Sequence, residues 1–348
     1  MPDPRARRGK RHALTPLLVL GIAAVLCGAR SFAAIGQWAA AHAGSMHIDT
    51  LVARAADEST FRRVFARVDA DALAAVIGAW LWTRTVTQEG RRVIAIDGKT
   101  VRGARRRGQV APHLVAALDQ GSGAVLGQLA VAAKSNEIPA VRTLLTCFDV
   151  AGAVVTVDAM HTQHDTAKAI TERGGDYVFT VKKNQPSLHA ACKDLPWKKV
   201  PSHRVTSRSH GRQITRTIKV VQAPEWIEFT GAARIAQIRR TLTQAGNKKS
   251  VEVVYVITSA DHRAAPPPVL AAWVQGHWGI ENQVHYVRDV TFDEDRSQVR
   301  TGTAPQTMAT IRSTAISLLR LAGWDNIAAA LRHHARNPQR PINLLMTC

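Results

Sequence analysis

Two aspartates each close a short apolar run that is rich in β-branched residues. Asp97 ends VIAID, Asp158 ends VVTVD, and a small residue follows each of them. An acid at the carboxyl end of a buried strand costs free energy unless it is solvated in a crevice, paired or bound to a metal. An aspartate that caps the next turn would produce the same local pattern. Two such strands favour a shared site, because neighbouring carboxylates repel each other and a divalent cation relieves the repulsion.

A third acid lies in the stretch HWGIENQVHYVRDVTFDED, which begins at His277. If residues 274–290 are helical, side chains three and four positions apart share one face. On that face the acid and its neighbours would be Glu281, His277, Trp278, His285 and Arg288. Together they would combine a carboxylate with hydrogen-bond donors and an aromatic platform. A surface helix of mixed charge is the alternative interpretation.

Three separated carboxylates predict a particular kind of metal chemistry. Oxygen ligands suit Mg²⁺ or Mn²⁺ and disfavour zinc. Such ions activate water and stabilise in-line displacement at phosphorus. A zinc site is the weaker alternative, and its ligands would be Asp158, His161, His164 and Asp165 in DAMHTQHD. The sequence contains neither a P-loop nor a G-x-G-x-x-G motif, so it gives no sign of ATP or NAD use.

The charge of the chain indicates a polyanionic partner. Its 348 residues include 46 Lys and Arg against 26 Asp and Glu, a formal net charge of +20. Nucleic acid is the first partner that such an excess predicts, and an acidic membrane surface is the second. A hydrophobic content of 46% is enough for a substantial core, which excludes global disorder.

The cysteines and the first apolar run bear on the compartment. The four cysteines are widely separated and form no C-x-x-C motif, which favours a reducing compartment. The uncharged run from Ala13 to Ala29 follows a basic start and resembles a secretory signal. A buried first helix would look the same, and the run is short for a membrane span.

The elements that must position these residues follow a mixed α/β order. Residues 1–85 are patterned as helices, and the chain then predicts the order β-β-β-α-β-α-β. Residues 196–262 break this order and predict an antiparallel β-rich insertion that turns at His210 and Gly211. Helical patterning returns after the APPP linker and continues to about His334.

Five blocks of the sequence together resemble a known family. They are AIDGKTVRGA, KSNEIPAV, VDAMHTQ, DYVFTVKKNQPSL and HWGIENQVHYVRDVTFDED. The family they resemble is that of the insertion-sequence transposases of the ISAs and H-repeat-associated group, which are DDE transposases. Residues 3–39 also resemble that family's N-terminal associated domain. The resemblance covers nearly the whole chain, and the ordered set of blocks is highly specific.

The resemblance implies a fold class and a domain organisation. The fold class is α/β, an RNase H-like mixed sheet flanked by helices with a β-rich insertion, plus a small N-terminal all-helical domain. The helical domain would occupy residues 1–85 and could bind DNA ends. The catalytic domain would occupy residues 90–348, with the insertion at about 196–262.

The resemblance also implies that Asp97, Asp158 and Glu281 form the catalytic triad and hold Mg²⁺ or Mn²⁺. The chain would then cut double-stranded DNA at insertion-sequence ends and join the ends to target DNA. The side chains expected to contact DNA are Lys99, Arg102, Arg105, Arg106, Arg107, Lys182, Lys183, Arg204, Arg208, Arg212, Arg216, His277, Trp278, His285 and Arg288.

Two alternatives remain open at this level. A transposase-derived protein could bind DNA without catalysis, and a basic protein could be exported or tethered to a membrane. We expect a cytoplasmic, nucleoid-associated protein with no membrane partner, which forms a homodimer when it assembles on DNA.

Overall fold

The computed structural model describes residues 1–6, 10–42, 56–85, 87, 90–108, 110–132, 136–209, 212–243 and 249–347. Within them the α-helices are α1 (Leu14–Leu26), α2 (Phe32–His42), α3 (Glu58–Phe65), α4 (Ala70–Trp82), α5 (Glu137–Leu145), α6 (His164–Thr171), α7 (Pro186–Asp194), α8 (Pro267–Gly276), α9 (Tyr286–Val290), α10 (Ala304–Leu321), α11 (Ile327–Ala335) and α12 (Gln339–Thr347). The strands are β1 (Val93–Thr100), β2 (His113–Asp119), β3 (Val125–Ala130), β4 (Val154–Val157), β5 (Asp176–Val181), β6 (Ser202–Ser209), β7 (Arg212–Gln222), β8 (Arg234–Thr243) and β9 (Lys249–Thr258).

The chain divides into two compact units, and strand β1 contributes to both. The first unit contains residues 1–88, 97–140 and 279–348, and the second contains residues 89–96 and 141–278. In the first unit the strand order is β3-β2-β1, with β2 and β3 antiparallel. In the second the order is β1-β4-β5-β9-β8-β7-β6. The predicted boundary between residues 85 and 90 stays a prediction.

The core of the first unit joins helices from the two ends of the chain. Helix α1 is buried along most of its length, and Leu17 and Val25 belong to the same apolar cluster as Phe65, Ile311 and Leu318. The apolar run near the start of the sequence is therefore a buried helix in this structure. Among the described residues, no helix combines the length and the apolar character that crossing a bilayer requires.

Local sequence explains where the N-terminal helices begin. Asp57 accepts a hydrogen bond from the Thr60 N–H at the start of α3, and Asp69 accepts one from the Ala72 N–H at the start of α4. Side-chain oxygens at these positions satisfy backbone donors that have no partner within the helix.

The second unit contains the parallel part of the fold and the insertion. Strand β4 lies parallel to β1 on one side and to β5 on the other. The insertion strands β6 to β9 form antiparallel pairs, and β9 continues the ladder antiparallel to β5. Helix α8 packs on this sheet through Leu270 and Trp273.

The predicted mixed sheet flanked by helices, with a β-rich insertion and N-terminal helices, is confirmed. The predicted chain order β-β-β-α-β-α-β is the order of β1 to β5 with α5 and α6 between them. The predicted turn at His210 and Gly211 lies outside the described residues. Helix α12 was not predicted from the sequence.

Candidate catalytic carboxylates and nucleic-acid contacts

Asp97 and Asp158 each follow a residue that pairs between parallel strands. Within the second unit, Ile96 of β1 is in register with Val157 of β4. Strand β4 ends before Asp158, as the sequence predicted. Strand β1 runs on to Thr100, so Asp97 lies inside the strand and not at its end.

In the first unit, Asp97 has a histidine as a neighbour. Its Oδ2 atom lies 3.5 Å from Nδ1 of His285, and both side chains are mostly buried. Burial, with the nearby cations Arg288 and Lys99, lowers the pKa of His285 to about 3. The ring is therefore neutral at neutral pH. His285 was predicted to contact DNA. In this structure it is buried beside Asp97 and is not a donor at the surface.

Lys99 is also directed into the protein. Its Nζ atom lies 2.6 Å from Oδ2 of Asp289, and only a tenth of its side chain is exposed. Burial raises the pKa of Asp289, and the contact with Lys99 opposes that rise. Lys99 was predicted to contact DNA, but its charge is taken by Asp289 in this structure.

Gly98 lies between Asp97 and Lys99, and a side chain at this position would have to displace the ends of two neighbouring side chains. A Cβ atom at this position would lie 2.5 Å from both Nε2 of His113 and Oε2 of Glu137. His113 Nε2 and Glu137 Oε1 are 2.6 Å apart, and His113 Nδ1 is 2.8 Å from Oγ1 of Thr100. The Asp-Gly-Lys segment thus passes a histidine–carboxylate pair that the sequence analysis did not single out.

In the second unit, Asp158 is paired with a lysine. Lys182 Nζ lies 3.1 Å from Oδ1 of Asp158, and about half of each side chain is exposed. Burial opposes ionisation of Asp158, but the Ala159 N–H, Lys182 and His277 outweigh it and lower its pKa. The carboxyl group is therefore ionised at neutral pH. Asn184 Nδ2 donates to the Ala159 carbonyl at 2.8 Å and holds the lysine loop against this segment.

His277 is a neutral group in the same unit. Its Nδ1 atom lies 2.9 Å from Oγ1 of Thr156 on β4. Burial lowers its pKa to about 4; Asp158 opposes that shift, while His161 and Lys182 favour it. Any contact that His277 makes with DNA at neutral pH would therefore be a hydrogen bond and not an ion pair.

Glu281 lies in a wider helical turn than the sequence predicted. Residues Ile280–His285 form a π-helix that precedes α9, and Glu281 is exposed on it. π-Helical turns are rare and are found frequently at functional sites. Trp278, in the second unit, is 55% exposed, so its indole is not part of a core.

Arg288 belongs to a buried ion-pair network and not to the DNA-facing surface that we predicted for it. Its guanidinium is fully buried and donates to Oε1 of Glu294 at 2.6 Å. Arg312 donates to Oε2 of the same carboxylate at 2.9 Å. Burial opposes ionisation of Glu294, but the two arginines lower its pKa to about 2. Glu294 lies six residues after Arg288, beyond the end of α9, and Arg312 lies on α10, so helical spacing around Arg288 did not indicate burial.

The arginines after β1 remain available at the surface. Arg102, Arg105, Arg106 and Arg107 are all exposed. Arg102 is 3.6 Å from Oδ2 of Asp295, and Arg106 donates to the Arg300 carbonyl. Lys183, in the loop after β5, is exposed as well.

The four arginines of the insertion do not share one face. Arg204 pairs with Thr217 across the β6–β7 ladder, while Arg216 pairs with Val205. Residues that pair directly point to the same side of a sheet, and side chains alternate along each strand. The ladder therefore places Arg204 and Arg208 on one face and Arg212 and Arg216 on the other. The DNA contacts expected of these four arginines stay a prediction, and one flat DNA surface would meet only two of them.

Across the described residues, no group of three or more His, Cys, Asp or Glu side chains comes together in a way that could hold a metal ion. This applies to the weaker zinc alternative as well. His161 is buried, His164 contacts Oγ1 of Thr230, and Asp165 pairs with Arg142. The residues suggested as zinc ligands therefore do not come together as a zinc site in the described part of the chain.

Comparison with known proteins identifies the class. A family model described as "Transposase DDE domain" matches residues 88–318, and the model of the domain associated with it matches residues 1–81. The chain therefore belongs to the DDE transposase family. The resemblance drawn from the sequence blocks is confirmed.

Two relatives from Escherichia coli agree with this. The chain is 32% identical to "H repeat-associated putative transposase YhhI" of Escherichia coli strain K12 in an alignment 343 residues long, which covers 92% of this chain and 88% of that protein. It is 32% identical, with the same coverage, to YbfL of the same strain. Among solved structures, it is similar to a piggyBac transposase in a synaptic complex with hairpin DNA, with a TM-score of 0.45 and 12% identity, over 100% of this chain and 76% of that one.

Proposed function

We propose that the chain cuts DNA at insertion-sequence ends and joins those ends to target DNA by metal-dependent hydrolysis and transesterification. One observation carries the proposal. Ile96 and Val157 are paired in parallel strands, and the next residue of the chain after each is an aspartate. Membership of the DDE transposase family supports it.

Asp97, Asp158 and Glu281 are the metal ligands in this proposal. Three carboxylates are an oxygen donor set, which fits Mg²⁺ or Mn²⁺. The lowered pKa of Asp158 supports the fit, because a ligand must be deprotonated to bind a cation. The ions would activate water and stabilise the attacking and leaving oxygens.

Other residues of the chain would bind and orient the DNA. Lys182 holds Asp158 as an ion pair, and once released it could contact a phosphate. Trp278 offers an exposed indole on which an unpaired base could stack. The exposed arginines at positions 102 and 105–107 would neutralise phosphates along the backbone.

A catalytically silent DNA-binding protein is the alternative function. All three carboxylates are present, so loss of catalysis would have to arise elsewhere in the chain. Assembly as a homodimer on DNA, and work in the cytoplasm at the nucleoid, remain predictions that follow from a DNA substrate.

Cleavage of a plasmid that carries this gene with its flanking genomic DNA tests the proposal. We expect nicks at the ends of the element with Mg²⁺ or Mn²⁺, and little turnover with Ca²⁺ or with a chelator. Binding without any metal-dependent nicking would favour the silent alternative. Zinc-dependent activity that is lost in His161→Ala would contradict the carboxylate site.

A further inference from the structure

An arginine-lined cleft opens in the first unit. Its volume is about 440 Å³, and it lies between the start of α2, helix α3 and the segment 293–304. The charged residues of its lining are Arg30, Arg62, Arg296, Arg300, Glu58 and Asp293. The four arginines are exposed and outnumber the two acids. Within the described part of the chain, none of the large apolar side chains that are exposed lines this cleft.

The buried ion-pair network holds two of its walls together. Arg312 donates to Oε2 of Glu294 at 2.9 Å and to the Arg30 carbonyl at 3.3 Å. Glu294 is the residue after Asp293, whose backbone is left-handed with φ 55° and ψ 39°. A non-glycine residue in this region is uncommon and indicates that the surroundings fix the turn. The turn that precedes Arg296 is therefore anchored from inside the protein.

The third wall, helix α3, is anchored to the segment 293–304 through the residues that follow the helix. Thr303 Oγ1 donates to the Val68 carbonyl at 2.7 Å. Gly302 passes so close to the backbone that a Cβ atom would lie 2.2 Å from the Ala66 carbonyl oxygen. The walls of the cleft are therefore held in place by buried contacts and by close backbone packing.

The cleft continues into the arginine loop after β1. Arg300 Nε donates to the Gly103 carbonyl at 3.1 Å, and Arg106 donates to the Arg300 carbonyl. A Cβ atom on Gly103 would lie 2.5 Å from the Glu294 carbonyl oxygen. The segment that lines the cleft and the loop at 102–107 thus form one basic surface.

We propose that this cleft binds the sugar-phosphate backbone of duplex DNA, so that the N-terminal helices share the DNA contacts of the loop at 102–107. The proposal rests on the DNA substrate of the proposed function. Guanidinium groups match phosphate oxygens in charge and geometry. A protein partner is less suited to the cleft, because protein interfaces are centred on buried apolar or aromatic anchors.

A triple variant, Arg30→Gln with Arg62→Gln and Arg296→Gln, tests the site. The matched control removes the same charge at exposed positions elsewhere, Lys193→Gln with Arg332→Gln and Arg336→Gln. The probe is a duplex oligonucleotide of unrelated sequence, titrated at several salt concentrations, with poly-glutamate as a second polyanion. Thermal melting of each variant shows whether it is folded.

We expect the triple variant to bind the duplex at least tenfold more weakly than the control. The slope of log K against log salt should become shallower by roughly 2.7, from about 0.9 for each lost phosphate contact. Equal affinities and equal slopes in the two variants would overturn the proposal, and so would an equal loss of poly-glutamate binding. If the wild type nicks DNA and the variants bind alike, only this site fails. If the wild type binds but never nicks while the triple variant loses affinity, the site stands and the transposase chemistry fails.

Discussion

Lys182 forms an ion pair with Asp158, with Nζ 3.1 Å from Oδ1. Both side chains are about half exposed, so the pair lies at the surface of the second unit, and it stabilises the fold only slightly. Gln185 Nε2 donates to the Thr162 carbonyl at 2.9 Å and, like Asn184, holds the lysine loop on the segment after β4. Lys182 therefore occupies one of the two carboxylate oxygens that a cation held by Asp158 would use.

Replacing Lys182 should strengthen metal binding. In Lys182→Gln the ammonium no longer competes for Asp158, so we expect the dissociation constant for Mn²⁺ to fall on the order of threefold. A ligand that binds only the folded state raises its stability as its concentration exceeds the dissociation constant. The measurement is the Mn²⁺-induced rise in melting temperature without DNA. Lys183→Gln, at the exposed neighbouring position, is the control and should behave as the wild type; equal shifts in both variants would argue against competition.

Arg288 should matter for stability. Arg288→Ala leaves the buried Glu294 with one of its two arginine partners, and breaking a buried pair costs about 3–5 kcal/mol. Denaturant unfolding measures this loss. Arg102→Ala, at a 77% exposed side chain, should leave the free energy of unfolding nearly unchanged. A stable Arg288→Ala protein with weakened DNA binding would restore the surface role that the sequence suggested.

Trp278 should matter for DNA processing and not for folding. An exposed indole contributes little packing, so Trp278→Ala should melt close to the wild type. Base stacking on an aromatic side chain is worth about 1–3 kcal/mol by alanine substitution. We therefore expect weaker processing of the transposon end, whereas Trp226→Ala, another exposed tryptophan, should process it normally. A large drop in melting temperature for Trp278→Ala would refute the stacking role.

His277 should make stability depend on pH. Its pKa is about 4 in the fold against 6.5 in the unfolded chain, so the unfolded state takes up a proton first as the pH falls. The stability is complete above about pH 6.5 and declines toward pH 4, by roughly 2 kcal/mol at about pH 5. Asp158, His161 and Lys182 face the same ring. Unfolding of His277→Asn at several pH values should show a flatter dependence in this window; an unchanged slope would show that other groups are responsible.

The sequence predicted the elements better than the surfaces. Runs of β-branched residues place β1, β4 and β5 because burial selects them locally. The face that an arginine occupies in the β6–β7 ladder depends on how the two strands pair. The residue pattern of one strand does not determine that pairing. The burial of Arg288 depends on Glu294 and Arg312, whose proximity arises only when α10 packs. Likewise, the π-helical turn at Glu281 could not be predicted, because its residue types also suit an α-helix.

Cleavage by matched variants of the three carboxylates tests the central claim most directly. Wild type, Asp97→Asn, Asp158→Asn and Glu281→Gln would be compared for Mg²⁺-dependent nicking of the plasmid that carries the element ends. Each change keeps the shape of the side chain and removes a charged ligand. We expect each variant to stay folded and bind DNA, with nicking slowed on the order of 10³-fold or more, a loss of about 4 kcal/mol of transition-state stabilisation. Near wild-type nicking by any one of them would contradict its place in the site.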